Sequence, residues 1–140
     1  MFSNRDSILL RRRVDKSFKS FKPYPSMAAA TQLTAGALSY VLGTAVEIIP
    51  ADTIETSFAI AKVQFAVLSD TGTYEVVLYA NDTTEIGRTR IAGGTVGNAV
   101  LNIDMATPIL VAGTKVSAKI ACATAGSKTL YMSVIYQEIE

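Results

Sequence analysis

The sequence predicts an all-β protein: an antiparallel β-sandwich of about eight strands, jelly-roll-like, carried behind a basic N-terminal arm. Three observations lead there. From Ser39 onward apolar residues recur at every second position over short runs, the period of a half-buried strand. Turn formers separate those runs at intervals of about 8–12 residues, the spacing of a sandwich or barrel. After Leu38 no run has the length and period of a helix. The chain of 140 residues is long enough to bury one real core.

The arm comes first, as residues 1–24. Residues 1–22 hold seven basic and two acidic side chains, a net +5, while the remainder of the chain sums to −4. Leu10, Val14, Phe18 and Phe21 are spaced to share one side of a helix. Arg11, Arg12, Lys16 and Lys19 then lie away from that stripe. Crowded positive charge makes such a helix marginal alone, so the arm is expected to become ordered against a partner. Pro23 and Pro25 stop any helix, because neither supplies a backbone donor and each pushes its predecessor toward extended geometry. Residues 25–38 read as a linker and residues 39–140 as the sandwich.

Strands are expected near Ser39–Ile49, Ser57–Leu68, Thr73–Ala80, Glu85–Ile91, Ala99–Met105, Ile109–Val111, Lys115–Ala123 and Thr129–Ile139. In the second of these Phe58 and Ile60 have one parity and Val63, Phe65 and Val67 the other. A β-bulge at Ala61-Lys62 accounts for the switch, since one extra residue moves the following side chains to the opposite face. In the third, Tyr74, Val76 and Leu78 oppose Glu75, Val77 and Tyr79. Asp70-Thr71-Gly72 and Asn81-Asp82 supply turns, with Gly72 free to take positive φ. In the seventh, Val116, Ala118, Ile120 and Cys122 alternate with Lys115, Ser117, Lys119 and Ala121, one face in and one face wet. In the last, Leu130, Met132, Val134 and Tyr136 face inward. Tyr131 and Ile135 on the outer face are more apolar than solvent requires, which marks a candidate subunit interface.

Composition removes several chemistries. There is no His, hence no Ser-His or Cys-His pair for acyl transfer and no usual zinc ligand. The single Cys122 forms no internal disulfide and reads as a buried thiol. Glu47, Asp52 and Glu55 lie about one turn and Asp82 and Glu85 about another, where carboxylates usually face solvent. Gly93-Gly94-Thr95-Val96-Gly97 lacks the Lys-Ser/Thr of a phosphate-binding loop. No catalytic residue, metal ligand or cofactor is expected. Ile8-Leu9-Leu10 is too short for a signal-peptide core, and no apolar run reaches the roughly 20 residues of a membrane span. The arm alone has an evident use. Its cations, Arg11, Arg12, Arg13, Lys16, Lys19 and Lys22, suit either phosphates or an acidic protein surface. Leu10, Val14, Phe18, Phe21 and Tyr24 supply the apolar contacts of either mode. The regular apolar stripe favours protein docking over a nucleic-acid role.

Pro108-Ile109-Leu110-Val111-Ala112-Gly113-Thr114-Lys115-Val116-Ser117-Ala118-Lys119-Ile120, followed by the strand Leu130–Tyr136, resembles the closing hairpin of small jelly-roll virion proteins of tailed bacteriophages. Gly43–Pro50 and Lys62–Phe65 resemble the opening strands of the same kind of domain. The resemblance runs from about Val41 to Tyr136. It implies a non-enzymatic virion protein of the capsid decoration (auxiliary, or cement) type, or a part of a neck, tail or fibre. It implies assembly as a homo-oligomer, frequently a trimer, with the major capsid protein as expected partner; the short Ile8-Leu9-Leu10 run and the lack of a span-length apolar run set the expected place of assembly in a host cytoplasm. Two other readings stand beside it. One is a small jelly-roll coat protein whose arm meets genome. The other is a carbohydrate- or receptor-binding module using Tyr74, Tyr79 and Tyr131 or the Gly93–Asn98 loop.

Overall fold

In the computed structural model the described residues are 18–92 and 101–139. They form nine strands: β1 (Phe18–Tyr24), β2 (Thr31–Thr34), β3 (Val46–Ile49), β4 (Ser57–Ala66), β5 (Thr73–Ala80), β6 (Thr84–Ala92), β7 (Leu101–Asp104), β8 (Val116–Cys122) and β9 (Thr129–Ile139). The strands make two antiparallel sheets. One has the order β1-β9-β4-β7, with β2 also on β9; the other has the order β3-β8-β5-β6. The expected all-β sandwich is what the chain forms, with more strands than the sequence suggests.

The inward parity of each strand fills the space between the sheets. Phe58, Ile60, Val63 and Phe65 of β4 and Leu130, Met132 and Val134 of β9 meet Tyr74, Val76 and Leu78 of β5 and Val116, Ala118 and Ile120 of β8, all essentially without solvent exposure. Cys122 is buried among them. The rings of Phe58 and Tyr136 meet edge to face, 6.1 Å apart at an interplanar angle of 76°, a favoured aromatic geometry. The register of β4 on β9 shifts between Ile60 and Lys62. The bulge therefore sits where the parity switch places it, and it lets both halves of β4 face the core.

Four local expectations are corrected. Phe18 and Phe21 belong to a strand, not a helix: β1 pairs with β9, Phe21 opposite Gln137 and Tyr24 opposite Val134. Pro23 is tolerated there because β1 is an edge strand. The stretch read as a linker contains β2, paired with the first half of β9, so β1 and β2 share one edge of the same strand. Val67 is not on the core face. It is 44% exposed with φ +52°, and the chain turns there before Leu68 is buried. Gly72 does not take the left-handed conformation; its N–H donates to Asp70 Oδ1 at 2.7 Å, and a Cβ there would lie 2.7 Å from Thr124 Oγ1.

Other expectations differ in extent. Of Ser39–Ile49 only β3 is regular; before it single bonds run along β8, from Tyr40 N–H to the Cys122 carbonyl and from Gly43 N–H to the Ile120 carbonyl. Ile109–Val111 reduces to a bridge between Phe58 and Leu110. Asn81 and Asp82 both have positive φ in the three-residue connection from Ala80 of β5 to Thr84 of β6, a conformation that Asn and Asp tolerate in hairpin turns. The expected wet face of β8, and the face of β5 beside it, are largely covered: Glu75, Val77, Ser117 and Ala121 are buried. Ser117 stands between Glu47 and Tyr79 across the ladder, and Val77 between Arg88 and Lys119, whose long side chains close over the small ones. Ala99 and the Gly93–Asn98 loop lie outside the described residues.

Deleting residues 1–17 is expected to leave the melting temperature within about 2 °C of the full chain, whereas deleting 1–24 removes β1 and lowers it by more than about 5 °C. Equal melting of the two truncations would show that β1 adds nothing to the sheet. Phe58→Ala is expected to cost about 3–5 kcal/mol in denaturant unfolding.

Candidate interaction surface

The outer face of the five-stranded sheet gathers part of the arm and both candidate interface residues. Pro23 stands opposite Ile135 and Phe21 opposite Gln137, while Lys62 stands opposite Ile135 on the other side. Tyr131 lies on the same face of β9, with Gln32 of β2 and Ala66 of β4 as its ladder neighbours. A groove of about 300 Å³, more apolar than polar, crosses this face between Phe21, Ala61, Lys62, Asp104 and Ile135. Phe21 is 59% exposed at one end. Lys62 Nζ and Asp104 Oδ1 are 3.8 Å apart at the other. Beside the groove Ser133 Oγ donates to Gln64 Oε1 at 3.1 Å, and Gln64 Nε2 donates to Asn102 Oδ1 at 2.8 Å. These bonds satisfy the Ser133 hydroxyl and the Gln64 amide.

The rest of the expected partner-binding set is divided. Lys22 donates to Glu138 at 3.0 Å, and Tyr24 packs against the core, so neither projects freely. Phe18 and Lys19 lie in β1. Leu10, Arg11, Arg12, Arg13, Val14 and Lys16 lie outside the described residues.

The outer face of the four-stranded sheet is charged and aromatic. Glu75, whose side chain is 11% exposed, accepts from Arg88 and from Arg90 Nε at 3.0 Å. Arg88 also donates to Glu85 at 2.7 Å. That bond raises the guanidinium pKa and lowers that of the Glu85 carboxyl. The Arg90 guanidinium carbon lies 5.6 Å from the centre of the Tyr40 ring, and Lys119 Nζ lies 5.1 Å from that of Tyr79, both within cation–π range. At the Asn81-Asp82 hairpin Lys115 donates to Asp82 at 2.6 Å and approaches Glu47 at 3.7 Å. Asp82 raises the Lys115 pKa, and Lys115 lowers that of Asp82.

The three tyrosines proposed for a sugar platform do not come together. Tyr74 is fully buried and donates to the Thr129 carbonyl at 3.2 Å; burial pushes its phenol pKa up. Tyr79 is covered by Lys119 on one sheet, and Tyr131 belongs to the other. Among the described residues no group of three or more His, Cys, Asp or Glu is placed to hold a metal ion. The sequence signal for the groove is faint: the parity switch marks Ala61 and Lys62, but nothing in the chain points to Asp104 until β7 is known to pair with β4.

Asp70, held low first by the Gly72 N–H and then by Thr124, adds to the effect of Asp82 and Glu85. Groups with depressed folded-state pKa values stabilise above their unfolded values, near about 4, and lose that contribution as pH falls through the folded ones. The melting temperature is expected to fall between about pH 5 and pH 2, and Asp82→Asn is expected to shallow that fall. An unchanged slope in Asp82→Asn would remove the Lys115 pair from the account.

No protein-family model matches the chain, and no curated protein sequence matches it. Several solved structures are similar in strand arrangement. An endospore appendage of Bacillus, from a family of disulfide-linked pili, is 16% identical, with 86% of this chain and 87% of that one covered and a TM-score of 0.44. The VP2 subviral particle of infectious bursal disease virus is 18% identical over 87% of this chain, with a TM-score of 0.46; the match spans 34% of the viral chain. A CBM36-1 domain of a multidomain xylanase, from the hindgut metagenome of Trinervitermes trinervoides, is 9% identical over 86% of this chain and 98% of its own, with a TM-score of 0.45. At this level of likeness none of them speaks to what this chain does.

Proposed function

We propose that the protein is a non-enzymatic structural component of a virion, a capsid decoration protein whose sandwich is displayed on a shell and whose basic N-terminal segment attaches it there. The observation that supports this reading is the way the basic segment is rooted. Arg11, Arg12, Arg13 and Lys16 run directly into β1, and β1 is laddered to β9. Charge on a segment tied this closely to a rigid sheet transmits its binding to the whole body. Positive charge steers the encounter with an acidic surface, while Leu10 and Val14 supply apolar anchors. Several copies acting together on one particle hold far more tightly than a single segment.

The reading is tested with the triple variant Arg11→Ala/Arg12→Ala/Arg13→Ala. Its thermal melting is expected to match wild type, while co-sedimentation with shells of the cognate capsid protein weakens at least about tenfold in ~0.15 M salt. Equal co-sedimentation sinks the anchoring role. Retention on nucleic acid that falls steeply with salt, without shell binding, would instead assign the segment to packaged genome.

A further inference from the structure

We propose that the outer face of the five-stranded sheet is a self-association surface, on which Phe21 of one copy enters the groove of a second copy of this chain. This does not rest on the anchoring role of residues 1–17. The groove crosses β1, β9, β4 and β7 in turn. Neighbouring strands lie about 4.8 Å apart, so its two ends are roughly 14 Å apart. At the β1 end stands Phe21, an exposed aromatic on an edge strand. The floor is Ile135 and Ala61, and Lys62 and Asp104 close the far end.

The ends are complementary to each other. A two-fold axis parallel to the strands, passing through the middle of the groove, exchanges them and brings Phe21 of each copy over the Lys62 end of the other. There the ammonium group meets the ring face, and Ala61, with only a methyl, leaves room for the ring. A self-complementary patch of this kind is what a two-fold interface requires. Charge excludes the other occupants. Lys62 and Asp104 balance each other at 3.8 Å, so a basic segment docking here meets Lys62 and an anionic polymer meets Asp104. A second copy brings only the uncharged Phe21 ring to that end and leaves the Lys62–Asp104 pair intact. Such an interface closes as a pair, so a trimer would need a different surface.

The test is the mass of the full chain by sedimentation equilibrium up to about 100 μM, alongside Ala61→Arg, Phe21→Glu and a chain lacking residues 1–17. Wild type is expected at twice the chain mass of 14.9 kDa, and the truncated chain at twice its own smaller mass. Ala61→Arg fills the groove and Phe21→Glu removes the knob; each is expected to sediment as a single chain with unchanged thermal melting. Because Phe21 is exposed, its variant keeps the test valid if Ala61→Arg unfolds. A single-chain mass for wild type overturns the proposal. So does a trimer, or a pair that survives both substitutions. Loss of the pair on deleting residues 1–17 would give the association to that segment instead.

Discussion

β9 is the strand on which the others depend. A strand in the middle of a sheet must find partners for its N–H and C=O groups along both edges, and β9 spans eleven residues. One edge is taken by β4 along almost its full length. The other is divided between β1 and β2, which run in the same direction and meet opposite Met132–Val134. Two short strands before and after the turn at Ser26–Ala30 thus replace one long one. β9 also sends Leu130, Met132 and Val134 into the core with no exposure, so its pairing and its packing are satisfied together.

The bulge in β4 links that core to the surface. Without the extra residue, Phe58 and Ile60 or else Val63 and Phe65 would face solvent, because side-chain direction alternates strictly along a strand. With it, all four are buried and the residue left over, Ala61, is turned to the outer face, where it floors the groove beside Ile135. The concavity of the outer face is thus a by-product of filling the core.

Much of this was legible in the chain. Alternation located β4, β5, β8 and β9, the parity switch located the bulge, and Asn81-Asp82 located a hairpin. What was not legible depends on partners distant in sequence. Phe18 and Phe21 are spaced three apart, which reads as helical, yet their conformation is set by Ile139 and Gln137 across the ladder. Thr31–Thr34 is too short to declare itself without β9. The outer parity of β8 reads as wet because Ser117 is polar, whereas Tyr79 and Lys119 close over it. On the candidate surface, Tyr131 and Ile135 were identifiable as apolar residues out of place, and Phe21 as part of the arm's apolar stripe. Their common face was not, since it follows from strand order. Asp104 carries no signal of its own.

The division of β9 also bears on how the chain is made. A ribosome delivers β1 and β2 first and β9 after every other strand, so the edge on which the first two pair does not exist until synthesis reaches Thr129. Contacts this distant in sequence make folding slow. Through that interval β1 is unpaired with Phe21 exposed, and pairing with β9 is the event that joins it to the rest of the sandwich. Binding by the basic segment before release from the ribosome would engage a chain whose sandwich has not yet closed.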